Sequence, residues 1–335
     1  MRGRLDEHIL ESKVLCGNPL GDPHVRPLWV YVPPAGVASP DRPLPAIYLI
    51  QGMTGQLDMW RNRGAFAPTV VERIDALFAG DDAPSPALVV LVDCWTSYGG
   101  SQFLDSPGTG RYHTFLCDEV VPFVDRSYAT RADRDHRGIT GKSSGGYGAM
   151  VTPLLRPELF SALASHAGDA LFELCYLTEF GPCARALRDQ YDGSFDRFWQ
   201  DFRGRQPMAR ASDAQLVNQY AMAACYSAGD DGTVRLPFDV ATGQLVREVW
   251  EQWLAWDPVR MIPQRADAAR SLRAVYLDAG RSDEYYLDLG AAAARQRFAE
   301  AGVRDIAFEL FDGRHGGIDH RYPGAIRFLA ERLGS

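Results

Sequence analysis

Short apolar runs bounded by turn residues recur along the chain, and segments with helical spacing lie between them. The runs predict strands at residues 28–32, 46–50, 87–93, 137–140, 161–166, 273–279 and 305–311. The spaced segments predict helices at residues 68–79, 112–127, 144–155, 284–301 and 322–333. Residues 87–92 are apolar on both faces, which is typical of a strand buried in a parallel sheet. The alternation predicts a doubly wound, mostly parallel α/β sheet.

Residues 170 to about 265 interrupt this alternation with two aromatic stripes at helical spacing. The stripes consist of Phe195, Phe198, Trp199 and Phe202 in the first segment, and of Trp250, Trp253 and Trp256 in the second. They indicate either ordinary core packing or a helical cap that lies over the sheet and lines an apolar pocket. Since the chain shows no internal repeat or long linker, we expect residues 1–335 to form a single domain with a mainly helical insert at about 170–265.

Composition and charge exclude several classes of protein. With 46% hydrophobic and 23% charged residues the chain is typical of a folded globular protein, not a disordered one. A net charge of −8 argues against a nucleic-acid or anionic-membrane partner, which would require a basic face. Residues 1–10 carry several charges and no apolar core, unlike a secretory signal, and no apolar run is long enough to span a membrane. We therefore expect a cytoplasmic location.

The cysteines are isolated, without a C-x-x-C pair or a His/Cys cluster at zinc-ligand spacing. We expect them to be small buried hydrophobic residues rather than disulfide partners. They are Cys16, Cys94, Cys117, Cys175, Cys183 and Cys225. No metal ion and no organic cofactor is implied by the sequence.

One segment, Gly141-Lys142-Ser143-Ser144-Gly145, matches G-x-S-x-G and stands between a short apolar run and a helix-compatible stretch. A serine on a sharp strand-to-helix turn is strained, and glycine at both flanking positions removes the clash with neighbouring chain segments. We predict that Ser143 is a nucleophile and that the N–H of Ser144, at a helix N-terminus, is an oxyanion donor. Lys142 is interpreted as a solvated turn residue.

A serine hydroxyl needs a histidine base, which a carboxylate orients, and in this fold class the chain order is Ser, Asp or Glu, then His. Only two histidines, His315 and His320, follow the last predicted strand. We favour His315, which lies in a glycine-rich loop, and interpret His320 as a surface or capping residue. Asp283 and Glu284 follow the penultimate strand; we favour Asp283 as the acid and keep Glu284 as the alternative.

Two further parts of a site are predicted less directly. The glycine-rich loop after the strand at 46–50 places the N–H of Met53 as the second oxyanion donor. Five aromatic residues could line an apolar or aromatic acyl pocket, although plain core packing explains them equally well. These residues are Trp95, Tyr98, Phe103, Trp250 and Trp253.

Four segments together resemble the esterase D-like branch of the α/β-hydrolases. They are Gly141 to Gly146, Asp278 to Asp283, Gly313 to Gly316 and residues 110–128. The branch includes S-formylglutathione hydrolases, feruloyl-type and enterochelin esterases and the antigen 85 mycolyltransferases. The resemblance covers the chain from about residue 25 to its end and is weak across 170–270. It implies an α/β-hydrolase fold.

Carried over position by position, Ser143 resembles the nucleophile, Asp283 the acid and His315 the base of this branch. Met53 and Ser144 look like its two oxyanion donors. The chain departs from the pattern in two places: many members carry His-Gly where this chain has Gln51-Gly52, and the aromatic-rich insert is longer than a compact member needs.

Together these features predict a serine hydrolase that cleaves small carboxylic esters or thioesters through an acyl-enzyme intermediate. Three alternatives stay open: an acyltransferase, a peptidase of the same fold, and a binding protein built on an inactive hydrolase scaffold. The sequence leaves the oligomeric state, the substrate and its acyl-chain preference open.

Overall fold

A computed structural model describes residues 1–334. The chain forms one eight-stranded sheet and a separate two-stranded ribbon. The strands are β1 (Arg4–Glu11), β2 (Val25–Val32), β3 (Ala46–Ile50), β4 (Leu88–Val92), β5 (Asp105–Ser106), β6 (Gly110–Arg111), β7 (Arg137–Lys142), β8 (Ala162–His166), β9 (Ala274–Gly280) and β10 (Ile306–Phe311). The order across the large sheet is β1-β2-β4-β3-β7-β8-β9-β10, and β5 pairs with β6.

Only the first two strand pairs of the large sheet are antiparallel. β1 pairs with β2 and β2 with β4 in antiparallel fashion, whereas β4, β3, β7, β8, β9 and β10 run parallel to one another. The carboxyl ends of the parallel strands therefore lie at one edge of the sheet, which is where α/β proteins build their ligand sites.

The α-helices are α1 (Pro34–Ala38), α2 (Val70–Ala79), α3 (Tyr112–Thr114), α4 (Val121–Ser127), α5 (Ser144–Leu155), α6 (Phe172–Cys175), α7 (Leu177–Tyr191), α8 (Phe195–Gly204), α9 (Asp213–Tyr226), α10 (Arg247–Leu254), α11 (Pro258–Gln264), α12 (Ala266–Arg270), α13 (Leu287–Glu300) and α14 (Tyr322–Leu333). A π-helical stretch, Phe115–Val120, joins α3 to α4, and short 3₁₀ turns occupy Leu57–Arg61, Arg134–His136 and Asp319–Arg321. Throughout residues 1–334, every helix is too short or too polar to cross a membrane.

Helices cover both faces of the sheet, as the doubly wound prediction requires. α2 and α14 bury apolar side chains such as Ile74 and Leu329 against one face. The π-helical stretch and α4, α5 and α13 bury side chains such as Val124, Met150 and Phe298 against the other. All residues of β3 and β4 are consequently buried, which explains why both strands read as continuous apolar runs.

The seven strands predicted from the sequence are all present, with ends shifted by a few residues. β1 was missed because it is an edge strand: Arg4–Glu11 is mostly polar and only Leu10 within it is buried. The helix expected at 284–301 begins at Leu287, because Asp283 accepts hydrogen bonds within a turn that precedes it.

Between β8 and β9 the described chain forms helices α6 to α12, so the stretch predicted as a mainly helical insert is helical. Its aromatic residues pack on one another: Trp253 is fully buried, and its ring lies 5.5 Å from that of Tyr176 and 5.7 Å from that of Phe180. The assignment of the whole chain to one domain stays a prediction. Five of the cysteines are buried and all six are free, but Cys16 is exposed, because it lies in a turn between β1 and β2.

A buried charge cluster ties β8 to β9 beneath the carboxyl edge of the sheet. The Asp278 carboxylate is fully buried and contacts Nδ1 of His166 at 2.6 Å and Nε of Arg321 at 2.9 Å. The hydroxyl of Tyr276 donates to the same carboxylate at 3.0 Å. Burial disfavours the charged form, but the neighbouring His166 and Arg321 outweigh it and hold the pKa of Asp278 below its usual value.

Replacing Asp278 by asparagine is expected to lower the free energy of unfolding at pH 7 by about 2–3 kcal/mol, because the contacts of His166 and Arg321 lose their charged, fully buried acceptor while Arg321 keeps its ion pair with Glu309. A lowered folded-state pKa means that the charge stabilises the fold above about pH 4 and that this contribution is lost as the pH falls through the folded-state value. The variant should therefore lose less stability than the native chain on acidification. Urea unfolding at pH 7 and pH 3 measures both effects.

Asp267→Asn is the matched control, because Asp267 forms an ion pair with Arg270 on the surface and its side chain is 98% exposed. That change should alter the free energy of unfolding by less than about 1 kcal/mol. Equal unfolding free energies of Asp278→Asn and Asp267→Asn at pH 7 would contradict the role given to the buried cluster.

Candidate active site

Ser143 lies at the sharp turn between β7, which ends at Lys142, and α5, which begins at Ser144. Its backbone has φ 56° and ψ −125°, a conformation that costs a non-glycine residue about 1–3 kcal/mol. The N–H of Ser143 donates to the carbonyl of His166 at 2.9 Å, which anchors the turn to β8. Strain at one serine, held by the surrounding sheet, is the local geometry that the G-x-S-x-G spacing predicts.

The glycines on either side of Ser143 lie where a side chain would not fit. A Cβ atom on Gly141 would lie 2.6 Å from the carbonyl oxygen of Gly145, and one on Gly145 would lie 2.5 Å from the carbonyl oxygen of Ile50. Both contacts are with backbone, which cannot move aside as a flexible side chain could. The need for glycine at both positions therefore comes from close chain packing.

His315 connects Ser143 to Asp283 through its two ring nitrogens. Nε2 lies 3.1 Å from Oγ of Ser143, and Nδ1 lies 2.9 Å from Oδ2 of Asp283. The other carboxylate oxygen of Asp283 accepts the N–H of Tyr285 at 2.9 Å, and the Asp283 side chain is fully buried. The ring of Tyr285 packs edge-on against His315 at 5.0 Å. The three side chains singled out in the sequence thus form one hydrogen-bonded series.

The two alternative residues lie elsewhere. Glu284 accepts the backbone N–H of His315 at 3.0 Å, and this bond holds the pKa of Glu284 below its usual value. Its carboxylate supports the histidine loop and has no hydrogen bond to the His315 ring within the described chain. His320 is exposed, and its Nδ1 lies 3.3 Å from the carbonyl of Gly317.

The loop that follows β3 approaches the serine turn closely. A Cβ atom on Gly52 would lie 3.0 Å from the carbonyl oxygen of Lys142 and 3.5 Å from Cβ of Ser143. Across residues 1–334, neither the N–H of Met53 nor that of Ser144, the first residue of α5, donates to a protein acceptor. Two free N–H groups beside Ser143 are what an oxyanion site requires.

Gln51 fixes the base of this loop. In the orientation that satisfies both ends of its amide, it donates to the carbonyl of Val92 at 2.8 Å and accepts the N–H of Cys94 at 2.8 Å. These bonds tie the end of β3 to the end of β4. Gln51 can therefore hold the loop without a histidine at this position.

A cavity of about 660 Å³ opens beside Ser143 and His315. Its walls come from the Met53 loop, from the loop after β8, and from helices α6, α7 and α9 of the insert. Lys142 also lines it and is largely buried, and this burial lowers the pKa of its ammonium group. The interpretation of Lys142 as a solvated turn residue is therefore wrong, because the side chain turns inward at the end of β7.

None of the five aromatic residues proposed as a pocket is among the described residues that line this cavity. Trp250 and Trp253 are buried within the insert, and Phe103 is buried against α5. Tyr98 stacks on Trp199, and Trp95 borders a separate hollow beside β1 and β2. Core packing, the alternative kept for these residues, describes Phe103, Trp250 and Trp253, whereas Trp95 and Tyr98 are only partly buried.

The polar residues that do line the cavity were not predicted from the sequence. Asp169 lies in the loop directly after β8, a position that parallel-strand topology marks as part of the site edge. Tyr176 and Glu179 come from α6–α7, and no local pattern signals that these helices fold over Ser143. Within residues 1–334 there is no group of three or more His, Cys, Asp or Glu side chains arranged to hold a metal ion.

Comparison with protein families gives one match that spans most of the chain. The family described as "Putative esterase" matches residues 24–328. Among curated proteins, an uncharacterized protein of Corynebacterium glutamicum is 27% identical over 144 residues, which are 43% of this chain and 33% of the relative. An esterase of Mycobacterium tuberculosis is 29% identical over 92 residues, 26% of this chain and 20% of the relative. This chain thus spans a third or less of the length of these curated relatives.

Solved structures share the fold at low sequence identity. A ferulic acid esterase superposes with a TM-score of 0.61 at 20% identity, covering 99% of this chain and 98% of that one. An S-formylglutathione hydrolase of Agrobacterium tumefaciens gives 0.55 at 16% identity, covering 99% and 96%. These similarities, with the parallel sheet and its helical layers, confirm the α/β-hydrolase fold. The match of the "Putative esterase" family to residues 24–328 shows that the chain belongs to that family.

Proposed function

We propose that this protein is a serine hydrolase that cleaves carboxylic esters or thioesters through an acyl-enzyme intermediate. The observation that carries the proposal is the hydrogen-bonded series from Asp283 through His315 to Ser143, which ends inside a substrate-sized cavity. Membership of the esterase family supports the same reaction class. The hydrogen-bond distances favour an enzyme over a binding protein built on an inactive scaffold.

In the first half-reaction Nε2 of His315 takes the proton of the Ser143 hydroxyl as Oγ attacks the carbonyl carbon of the ester. Asp283 accepts a hydrogen bond from Nδ1–H, which fixes the tautomer that leaves Nε2 free as a base. The negative charge that develops on the carbonyl oxygen is stabilised by the free N–H groups of Met53 and Ser144. His315 then returns its proton to the departing alcohol or thiol.

In the second half-reaction a water molecule replaces the alcohol. His315 removes its proton as the oxygen attacks the acyl group on Ser143, and the same two N–H groups stabilise the second oxyanion. Collapse of this intermediate releases the carboxylic acid and returns the proton to Oγ of Ser143. An acyltransferase would follow the same path with an acceptor alcohol in place of water.

Product analysis with p-nitrophenyl acetate tests the proposal. The purified protein should release p-nitrophenol and acetate in equal amounts, and mass spectrometry of the quenched reaction should find an acetyl group on Ser143. Added glycerol separates the alternatives, since an acyltransferase would form glyceryl acetate while a hydrolase would still form mainly acetate. Turnover that leaves no acetyl group on Ser143 under fast quenching, together with undiminished activity of Ser143→Ala, would overturn the acyl-enzyme mechanism.

A further inference from the structure

The cavity beside Ser143 has walls of aromatic rings and carboxylates. Tyr176, Tyr285 and Tyr322 line it. Besides Asp319, whose charge acts on Lys142, two carboxylates line it, those of Asp169 and Glu179. Tyrosine rings attract cations through the negative potential of their faces, and carboxylates attract them directly. The two carboxylates differ in their surroundings, and each bears on which substrate the cavity accepts.

Asp169 is only 7% exposed, yet half of its hydrogen-bonding capacity is unused. Its Oδ2 accepts from Nε2 of Gln102 at 3.0 Å and from the hydroxyl of Tyr176 at 2.8 Å. No donor among residues 1–334 contacts Oδ1. Burial raises the pKa of this carboxyl above its ordinary value. Oδ1 is not among the buried unsatisfied atoms of the described chain, and since Asp169 lines the cavity this oxygen is available to a donor there.

The contact that orients Asp169 comes from a strained segment. Gln102 is fully buried and has φ 51°, which is uncommon for a residue other than glycine. Its amide nitrogen also lies 2.7 Å from the hydroxyl of Tyr226, so the side chain is held in one position behind Asp169. Strain of this kind persists where the surrounding structure fixes a functional group, and here the Gln102 amide holds Oδ2 of Asp169 and leaves Oδ1 without a protein donor.

Glu179, on α7, is half-buried in the same cavity, and its carboxylate has no hydrogen bond or ion pair with the described residues. Burial is the one influence that shifts the pKa of Glu179, and it raises that pKa. A carboxylate that loses water without gaining a partner is unfavourable, and a bound cation would offset that cost. Glu179 lies in the first turn of α7, where a carboxylate is favourable, and its side chain remains available to a cation in the cavity.

The lysine in the cavity does not neutralise these two groups. Lys142 lies at the end of β7, and the carboxylates that act on its charge are those of Asp319, Asp283 and Glu284. Neither Asp169 nor Glu179 is among them. The part of the cavity formed by α6 and α7 thus keeps an excess of negative charge.

We propose that the ester or thioester bound here carries a positively charged amine, which contacts Glu179 and the free oxygen of Asp169 and lies against the tyrosine rings. This inference rests on the proposed function, since the cavity is the one that contains Ser143. A single amine would give both carboxylates, Asp169 and Glu179, the partner that the protein does not supply. It also predicts that substrates bearing a carboxylate at the same place are rejected by like-charge repulsion.

Equilibrium binding to the Ser143→Ala variant tests the proposal without any turnover. Three probes of nearly equal size and shape differ in charge: choline is cationic, 3,3-dimethyl-1-butanol is neutral and 3,3-dimethylbutyrate is anionic. Ligand-observed NMR titration should give a Kd for choline about tenfold or more below that of the neutral alcohol. The anionic probe should bind more weakly than either. Equal affinity for choline and the neutral alcohol, or tighter binding of the anion, would overturn the proposal.

Two further variants, made in the same Ser143→Ala background, locate the interaction. Glu179→Gln keeps the size of the side chain and removes its charge, and should reduce the preference for choline over the neutral alcohol by about fivefold or more. Asp230→Asn removes an exposed charge from the insert outside the cavity lining and should leave that preference unchanged. Equal effects of the two changes would assign the preference to net charge and contradict a site at Glu179. Because only binding is measured, failure here is distinguishable from failure of the ester-cleaving function.

Discussion

Replacing Ser143 by alanine is expected to lower kcat for p-nitrophenyl acetate by at least about 10⁴-fold. The change removes the only hydroxyl within hydrogen-bond distance of Nε2 of His315 in residues 1–334, so no protein oxygen remains there to attack the substrate. The oxyanion N–H groups stay in place and leave the small residual rate that such sites retain. Initial rates at saturating substrate, corrected for spontaneous hydrolysis, measure the loss.

The variant should keep its fold, because the Ser143 side chain caps no helix and its Oγ contacts only His315 in the described chain. Far-UV circular dichroism and the Tm establish this. Ser127→Ala serves as the matched control, since Ser127 lies at the exposed end of α4 and is not among the residues that line the cavity. A folded Ser143→Ala protein that retains more than a tenth of the activity would contradict the assignment of the nucleophile.

Replacing Asp283 by asparagine is expected to lower kcat by about 10³–10⁴-fold with little change in KM. An amide that donates to Nδ1 of His315 holds the imidazole in the other tautomer, in which Nε2 carries the proton and cannot act as a base. The neutral amide also gives up the stabilisation of the imidazolium that forms as Ser143 attacks. Steady-state kinetics of the purified variant with p-nitrophenyl acetate measure both parameters.

Glu284→Gln provides the comparison, because Glu284 contacts the backbone N–H of His315 and not the ring. Glutamine keeps an acceptor for that N–H, so we expect a loss of no more than about tenfold. A reversed order, with Glu284→Gln the more severe change, would identify Glu284 as the acid and require the histidine ring to turn from its position in this structure.

The proposed catalytic residues were accessible from the sequence because each carries a local signal. The glycines around Ser143 mark a turn that few other residues tolerate, and the loops with Asp283 and His315 follow recognisable strands. In a parallel sheet those strands end at one edge, so the order of the elements brings the three side chains to the same place. The order of the elements and the strand pattern are therefore enough to predict that Ser143, Asp283 and His315 lie together.

The walls of the cavity were not accessible in the same way. Apolar stripes such as that of Trp250 and Trp253 can be satisfied by packing within the insert, and their spacing does not tell which neighbour covers them. Glu179 becomes a cavity residue only because α7 lies beside the Ser143 turn, a contact between elements that no local pattern encodes, whereas Asp169 directly follows β8 and was within reach of the strand order. The polar edge strand β1 was not predicted from the sequence for a related reason. Its pairing with β2, and not its own composition, makes it a strand.

Mapping the adduct of a fluorophosphonate probe tests the central claim most directly. The probe reacts with a serine only when a neighbouring base activates its hydroxyl, and the adduct can be located by tandem mass spectrometry of a proteolytic digest. The account predicts one modified peptide, with the label on Oγ of Ser143, and no labelling of the Ser143→Ala or His315→Ala variants. Labelling of a different serine, or a native protein that stays unmodified while folded, would contradict it.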